Sequence, residues 1–539
     1  MAYKAWTHII IGAGAAGCVL AYRLAKNKEF NVLLLEAGKS GYWDPTLKVP
    51  MMTAMLLRGK RHVWQYSTDE ETGLENRKIS LPRGKVLGGS TTINGMVYAR
   101  GLGIDYDNWA QTGLTDWSWA RVSPYFLRSE LYCGDNPGEL HSQRGLLTVS
   151  SRKKPLSPLV DAFVESGITA GYPRCFDFND PNAAGFGYYD FTIRKGYRES
   201  AASAFLNIKP RIENLHIKTD CEVKRIVFKG QRAESVEVLK SGKTKYFQTE
   251  QEIILCAGAI GTPSILLRSG IGKPEELEAV NIKTVLDLPE VGKNLHDHVL
   301  VRVGYGAPEN VTLHGLTRVD RAVHAFLQAC FFGSGPMSVF PLEAGAYISP
   351  RRGDVPTIQS HFMPALSSAT MRFNPFKKSE NNQSGFMANA SVMRPLSRGF
   401  VGLTGSELRD PIKVRLNYLE DETDVNHLID ATEILRDVFS QRPFEAYRKA
   451  ELFPGKEVRT RRALSSWIRQ TAGTVHHICG SCRMGVDENA VVDARLKVRG
   501  IEGLRIADAS VFPSIPSTNT AAPTIMVAEK AAEYILEEV

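Results

Sequence analysis

Two adjacent histidines precede a Cys-x-x-Cys in the stretch TVHHICGSCRMG at 474–485. These residue types support three different chemistries. Imidazole and thiolate are both metal ligands. Cys479-Gly-Ser-Cys482 has the spacing of a thiol–disulfide couple. One histidine on a glycine-flanked turn suits a catalytic base, because an ordinary pKa of about 6.5 lets imidazole accept a proton at neutral pH. The stretch alone does not choose among them, so the elements that must position it come next.

The N-terminus alternates strand, glycine turn, helix and strand. THIII at 7–11 is a short β-branched run, and GAGAAG at 12–17 follows it directly. Apolar residues then recur at helical spacing, and NVLLLEAG at 31–38 reads as a second buried strand. This context gives the G-x-G-x-x-G pattern a physical meaning. Gly12 permits the tight turn, Gly14 lets backbone approach a pyrophosphate, and Gly17 lets the helix pack on the strand. The helix N-terminus offers free N–H groups to phosphates. Glu36 ends the second strand, where a carboxylate can accept hydrogen bonds from an adenosine ribose. The pattern predicts a bound dinucleotide without deciding between NAD and FAD.

Two further stretches have unusual glycine content, and a third has a distinctive order of elements. RGKVLGGSTTINGMVYARG at 83–101 combines a Gly-Gly pair with small hydroxyl residues and the amide of Asn94. GAIGTPSILLRSGIG at 258–272 follows a strand that ends in small residues. Near the C-terminus, a strand, a turn carrying Asp508 and a long helical pattern follow in order. With VGKNLHDH at 291–298, RPLSRG at 394–399 and HHICGSCRMG, these motifs resemble the glucose–methanol–choline (GMC) family of FAD-dependent oxidoreductases, from about Thr7 to the C-terminus.

The resemblance implies a mixed α/β fold. A Rossmann-like FAD-binding domain would be assembled from discontinuous segments, beside a substrate domain with an antiparallel sheet capped by helices. The implied division is 1–305 for the FAD region, with 151–200 contributing to the substrate domain, then 306–464 for substrate and 465–539 returning to FAD. Residue by residue, Gly12, Gly14, Ala16 and Glu36 would hold adenosine and pyrophosphate. Gly84, Val86, Gly89, Asn94, Gly95 and Val97 would line the flavin side, Val223 would meet adenine, and Asp508 and Ala509 would support the ribityl and pyrophosphate region. Ile93 stands where some members link FAD to a histidine, so the cofactor is expected to be non-covalent. Asn519-Thr520-Ala521 replaces the family's N-x-N, so one asparagine contact is lost.

Aligned on Gly480 and Met484, the family's flavin-facing histidine is His477, and Asn519 matches the second catalytic position. The implied reaction oxidises an alcohol to an aldehyde or ketone. Hydride goes to flavin, His477 accepts the hydroxyl proton, and Asn519 orients the oxygen. Oxygen or a quinone-like acceptor would take the electrons. A hydroxynitrile lyase on the same fold is the alternative. No metal is expected, because Cys-x-x-Cys zinc sites usually bring a second pair and none is found. Cys482 falls where relatives often carry cysteine, and Cys479 replaces an apolar residue, so the thiol couple reads as coincidence. His296 and His298 read as structural. Trp64, Tyr98, Phe340, Glu343 and Phe362 are candidates to line the pocket. The helical pattern at 321–332 and the alternating segment at 399–419 are expected to build its roof, with 366–387 as a loop over the entrance.

Composition excludes other classes. The chain has 539 residues, 43% hydrophobic and 23% charged, as ordinary globular proteins do. The formal net charge is +8, but the basic clusters RKKP at 152–155 and RTRR at 459–462 lack interleaved aromatics, so nucleic acid is not an expected partner. A positive field would help draw in an anionic cofactor or substrate. Eight cysteines are too few and too apolar in context for a disulfide scaffold. No charged leader precedes the first strand and no apolar run reaches membrane-spanning length, so the expected location is cytoplasmic, with peripheral contact at the inner face of a membrane left open.

Overall fold

A computed structural model describes residues 5–135, 137–151, 154–208, 210–367 and 383–538. One sheet runs in the order Leu215–Lys218, Val32–Leu35, Trp6–Ile11, Lys243–Leu255, Arg232–Lys240 and Glu222–Lys229, and Leu504–Ile506 pairs with the end of the long strand. Ile10 is in parallel register with Leu34 on one side and Ile254 on the other. Both faces of this parallel part are covered, which is why its strands are unbroken apolar runs rather than alternating ones. The long strand does two jobs. Its first half alternates exposed and buried residues in a hairpin with Arg232–Lys240, and its last residues enter the buried parallel core. Helix Ala15–Ala25 packs on the last helix, Ala521–Glu537, which ties the two ends of the chain together. Arg23 donates two hydrogen bonds of 2.7 Å to the buried Glu529 across that contact. Arg128 Nε at 3.4 Å and Ser129 Oγ at 2.7 Å share the same carboxylate, so Glu529 keeps an ion-pair partner besides Arg23.

The second sheet is antiparallel: Glu451–Phe453, Val299–Gly306, Gly385–Val392, Ile358–Met363, Ala344–Ile348 and Gly185–Tyr188. Strand alternation gives it two faces. Val299, Val301, Val303, Phe362 and Phe386 point to one side and pack with helices Pro158–Thr169 and Glu422–Ser440. Leu300, Arg302, Asn389, His361 and Met363 point to the other, where they line a cavity. The short strand Gly473–Thr474 pairs with Val299–Leu300 and so delivers the following histidines to that cavity.

The segment 399–419 does not belong to this sheet, contrary to the expectation from its alternation, although Leu408, Asp410, Pro411 and Ile412 within it do line the cavity. Phe400–Leu403 and Ile412–Arg415 form a separate two-stranded ribbon, tied to the 291–295 loop by Val401 N to Gly292 O at 2.7 Å and Gly399 N to Leu295 O at 2.7 Å. Alternation specifies a half-buried strand but not its partner. The helix at 321–332 is present as Val319–Phe332, ended by Gly333 in the left-handed region, but none of its residues lines the cavity. Of the loop expected at 366–387, residues 368–382 lie outside the described residues.

Candidate active site

Three helices begin at the wall of one cavity of about 700 Å³: Ala15–Ala25, Gly258–Arg268 and Ala521–Glu537. None is capped by its own N-cap side chain; Asp508 accepts from Gly258 N at the start of the second, which leaves the starts of the first and third, both on the cavity wall, to offer free N–H groups and partial positive charge to an anion. Gly12, at φ +100°, is required by space as well as conformation, because a Cβ there would sit 2.5 Å from Cys256 O. Gly14 differs: a Cβ there would meet only Cys256 O within 4 Å, at 3.9 Å, and would occupy space that a phosphate needs. Gly89 lies against this turn, where a Cβ added to it would sit 2.7 Å from Gly14 Cα, so the two glycine-rich stretches form one cradle. These features fit the pyrophosphate of a dinucleotide such as FAD.

The other expected cofactor residues divide. Ala16, Glu36, Gly84, Asn94, Gly95, Val97, Val223 and Ala509 line the same cavity as Gly12, Gly14 and Gly89. Glu36 also clamps the glycine turn, accepting from Ala13 N at 2.9 Å and Gly38 N at 2.8 Å, and burial pushes its pKa up to about 7. Asp508 reaches the cavity, but its carboxylate accepts from Gly258 N, Thr262 Oγ1 and Ser510 N at 2.6–2.8 Å and so holds the start of a helix in place. Gly17 packs the first helix on its strand, since a Cβ there would meet Gly12 O at 1.9 Å. Val86 does not reach the cavity: it is fully buried in an apolar cluster with Leu47, Leu56, Val63 and Ile93.

His477 and Asn519 meet at the sheet end of the cavity, with Asn519 Nδ2 donating to His477 Nε2 at 3.0 Å. The rest of the network sets the tautomers. His298 Nε2 lies 2.9 Å from Met393 O, and a carbonyl only accepts, so His298 carries its proton on Nε2. His298 Nδ1 is then an acceptor, 2.9 Å from His477 Nδ1, which must donate. His477 Nε2 is left with its lone pair directed toward Asn519 and the cavity. Gln359 Nε2 donates to Asn519 Oδ1 at 3.2 Å and orients the amide. Asp297 fixes the backbone: its Oδ1 accepts from His477 N at 2.6 Å, and its Oδ2 accepts from Tyr418 OH at 2.6 Å and from Thr474 Oγ1. His476 adopts φ +67°, which turns consecutive side chains apart.

The cluster is electrically unfavourable to protons. Burial holds His477 well below the usual histidine range, helped by His298, His361, His476 and Arg83 nearby. Burial likewise lowers His298 and His361 to about 4 and His476 to about 3. These imidazoles are neutral at physiological pH. The thiols are inert by the same cause, since burial raises Cys479 well above 9 and also raises Cys482. Cys479 is spent on backbone pairing with His296, at 3.0 Å in both directions.

Several expectations about the lining need correction. Trp64 and Phe340 do line the cavity, whereas Tyr98, Glu343 and Phe362 do not. Phe362 is one residue from His361, and the pleat sends it to the helix face, where it stacks on Phe163 at 4.7 Å. Glu343 accepts from Leu156 N at 3.0 Å, and Tyr98 packs in the core of the first sheet. His298 is more than structural, because it touches His477 directly. Asp297, Gln359, His361 and Arg302 also belong to the site and were not foreseen from sequence. One signal was present for Arg302: VLVRVGYG places a lone charge in an apolar strand. Asp297 lies within the VGKNLHDH motif, and nothing local marks Gln359 or His361.

Comparison with known proteins agrees with this architecture. GMC oxidoreductase family models match residues 6–300 and 395–528. An oxygen-dependent choline dehydrogenase of Chromohalobacter salexigens is 40% identical over 98% of this chain and 94% of its own length. The corresponding protein of Pectobacterium carotovorum subsp. carotovorum is also 40% identical, with the same coverage. Among solved structures, pyridoxine 4-oxidase from Mesorbium loti superposes with a TM-score of 0.87 at 29% identity, covering 99% of both chains. A formate oxidase of Aspergillus oryzae RIB40 has a TM-score of 0.91 at 24% identity over 99% of both chains, a likeness of fold alone. With its parallel sheet and glycine cradle, its helix-backed antiparallel sheet and these full-length matches, the chain belongs to the GMC oxidoreductases, FAD-dependent enzymes acting on CH–OH groups.

Proposed function

We propose that the protein oxidises an alcohol to an aldehyde or ketone with non-covalent FAD, using His477 as base and Asn519 to orient the hydroxyl. The observation that carries this is the neutral His477, whose protonated Nδ1 points at His298 and whose Nε2 lone pair points at the cavity. FAD, when bound, supplies the acceptor for the hydride. A hydroxyl that takes the place of the direct Asn519–His477 bond would accept from the amide and donate to Nε2. Asp297, Thr474 and Tyr418 keep the histidine backbone still while the proton moves. The residues assigned to FAD are Gly12, Gly14, Ala16, Glu36, Gly84, Gly89, Asn94, Gly95, Val97, Val223 and Ala509, all on the cavity wall. Ile93 offers no ring nitrogen for a covalent link. The division into 1–305, 306–464 and 465–539 follows the same reading, with the last segment carrying the base back to the cofactor.

Oxygen or a quinone-like acceptor would take the electrons, and the relatives named oxygen-dependent support the former. Those relatives also favour oxidation over the lyase reading. No helix among the described residues is long and apolar enough to cross a membrane, in keeping with the proposed cytoplasmic location. The test is flavin bleaching by an alcohol panel, assayed with oxygen and with an artificial acceptor. His477→Ala should keep FAD yet reduce it roughly 10²–10⁴-fold more slowly, with the residual rate rising with pH as alkoxide forms unaided. His476→Ala should be much milder. Equal effects of the two substitutions would remove His477 from the role.

A further inference from the structure

The half of the cavity under the antiparallel sheet contains an arginine with no counter-charge. Three arginines line the cavity: Arg83, Arg268 and Arg302. Arg83 has Asp297 in its field, and Arg268 has Glu222 and Asp410. The Arg302 side chain has no acid at all: burial alone acts on it, and among the described residues its guanidinium makes no hydrogen bond or ion pair. It projects from Val299–Gly306 on the cavity face, level with Asn389, which is level with His361 on the next strand. The acids that line the cavity are already engaged elsewhere. Glu36 and Asp508 hold backbone N–H groups, Glu222 pairs with Lys85 at 3.1 Å, and Asp410 accepts from Glu407 N at 2.8 Å.

A second observation points to a ligand. Asn389 Oδ1, on the same row, is buried and unpartnered, and a half-turn of the amide presents its Nδ2 donor at that point instead. A native interior leaves few such groups, because each costs about 1–3 kcal/mol. An unpaired guanidinium with an idle amide beside it makes a site for a planar anion, since the guanidinium fork matches a carboxylate. The same arrangement repels a quaternary ammonium group, which needs carboxylates or several aromatic faces.

We propose that the alcohol substrate carries a carboxylate, bound by Arg302 with the Asn389 amide beside it, and that choline is not the substrate. This rests on the alcohol-oxidation reading for the reacting end only. Neighbouring strands lie about 4.8 Å apart, so two strand steps place the anion about 10 Å across the sheet from the His361 strand, on which Gln359 holds Asn519. The substrate is therefore a small hydroxy acid with its carbinol and carboxylate at opposite ends.

The experiment separates binding from chemistry. Calorimetric titration of the FAD-loaded protein with butyrate and benzoate, against butyramide and benzamide, reads the anion site without turnover. The carboxylates should bind at least about ten-fold more tightly, as expected of a bidentate charge-assisted contact. Arg302→Leu should abolish that preference and leave amide binding unchanged, and Arg302→Lys should keep part of it. In turnover, hydroxy acids should exceed neutral alcohols in kcat/KM, and choline should rank last. The proposal is overturned if amides bind as well as carboxylates, if Arg302→Leu keeps the preference, or if choline is the best substrate. Should Arg302→Leu not fold, the wild-type comparison of carboxylate with amide still decides. Arg302-dependent carboxylate binding with no alcohol reducing the flavin would leave the anion site standing and overturn the reaction.

Discussion

His298→Ala isolates the device that keeps His477 basic on the cavity side. In the intact network, His477 Nδ1 donates to His298 Nδ1 at 2.9 Å, and His298 Nε2 donates to Met393 O at 2.9 Å. Alanine removes the acceptor and leaves a buried N–H without a partner. That penalty is about 1–3 kcal/mol. His477 can relieve it by moving the proton to Nε2, which then faces the Asn519 amide as a donor against a donor and no longer offers a lone pair. Either way the reactive tautomer loses about 1–3 kcal/mol, which corresponds to roughly 5- to 150-fold in rate at 1.36 kcal/mol per decade. The assay is anaerobic stopped-flow reduction of the bound flavin by the best alcohol of the panel, with FAD content and Tm measured alongside. The loss should appear in the reduction rate and not in the substrate concentration at half-saturation. His298→Gln, whose side-chain oxygen can accept from Nδ1–H, should recover part of it. A His298→Ala protein that is folded, carries FAD and reduces it within two-fold of wild type would refute the tautomer argument.

Two further outcomes follow from the cofactor cradle and the buried histidines. Acid precipitation of the purified protein should release yellow flavin into the supernatant, because Ile93 cannot form the covalent link; colour retained in the pellet would contradict the non-covalent assignment. Stability should fall on the acid side. His298 and His361, lowered to about 4 in the fold, resist protons that the unfolded chain takes up near 6.5, so stability is complete above that value and is lost as pH drops from it toward 4. At pH 5 each group should cost roughly 2 kcal/mol, read as a lower denaturant midpoint than at pH 7.5. An unchanged midpoint would mean that these rings are not held neutral.

Local chemistry was legible in the sequence because it is written within a few residues. GAGAAG between two apolar runs specifies a strand, a turn that only glycine tolerates and a helix whose first N–H groups are free. The resemblance to the GMC family aligned His477, not His476, with the base position, and it implied the antiparallel sheet beside the cofactor domain. What the sequence left undecided was which elements become neighbours. The ribbon at 399–419 alternates as a sheet strand does, yet it pairs with the 291–295 loop. Phe362 and His361 are equally suited to line a pocket by type, and only the side of the sheet that received the helices sent one to the core and the other to the cavity. His298 and His477 are 179 residues apart, and their contact exists because Gly473–Thr474 pairs with Val299–Leu300. The lowered histidine pKa values and the isolation of Arg302 arise in the same way. Charge energetics depend on every group within a few ångströms and on the water that packing excludes, and neither is set until distant segments have closed around the cavity.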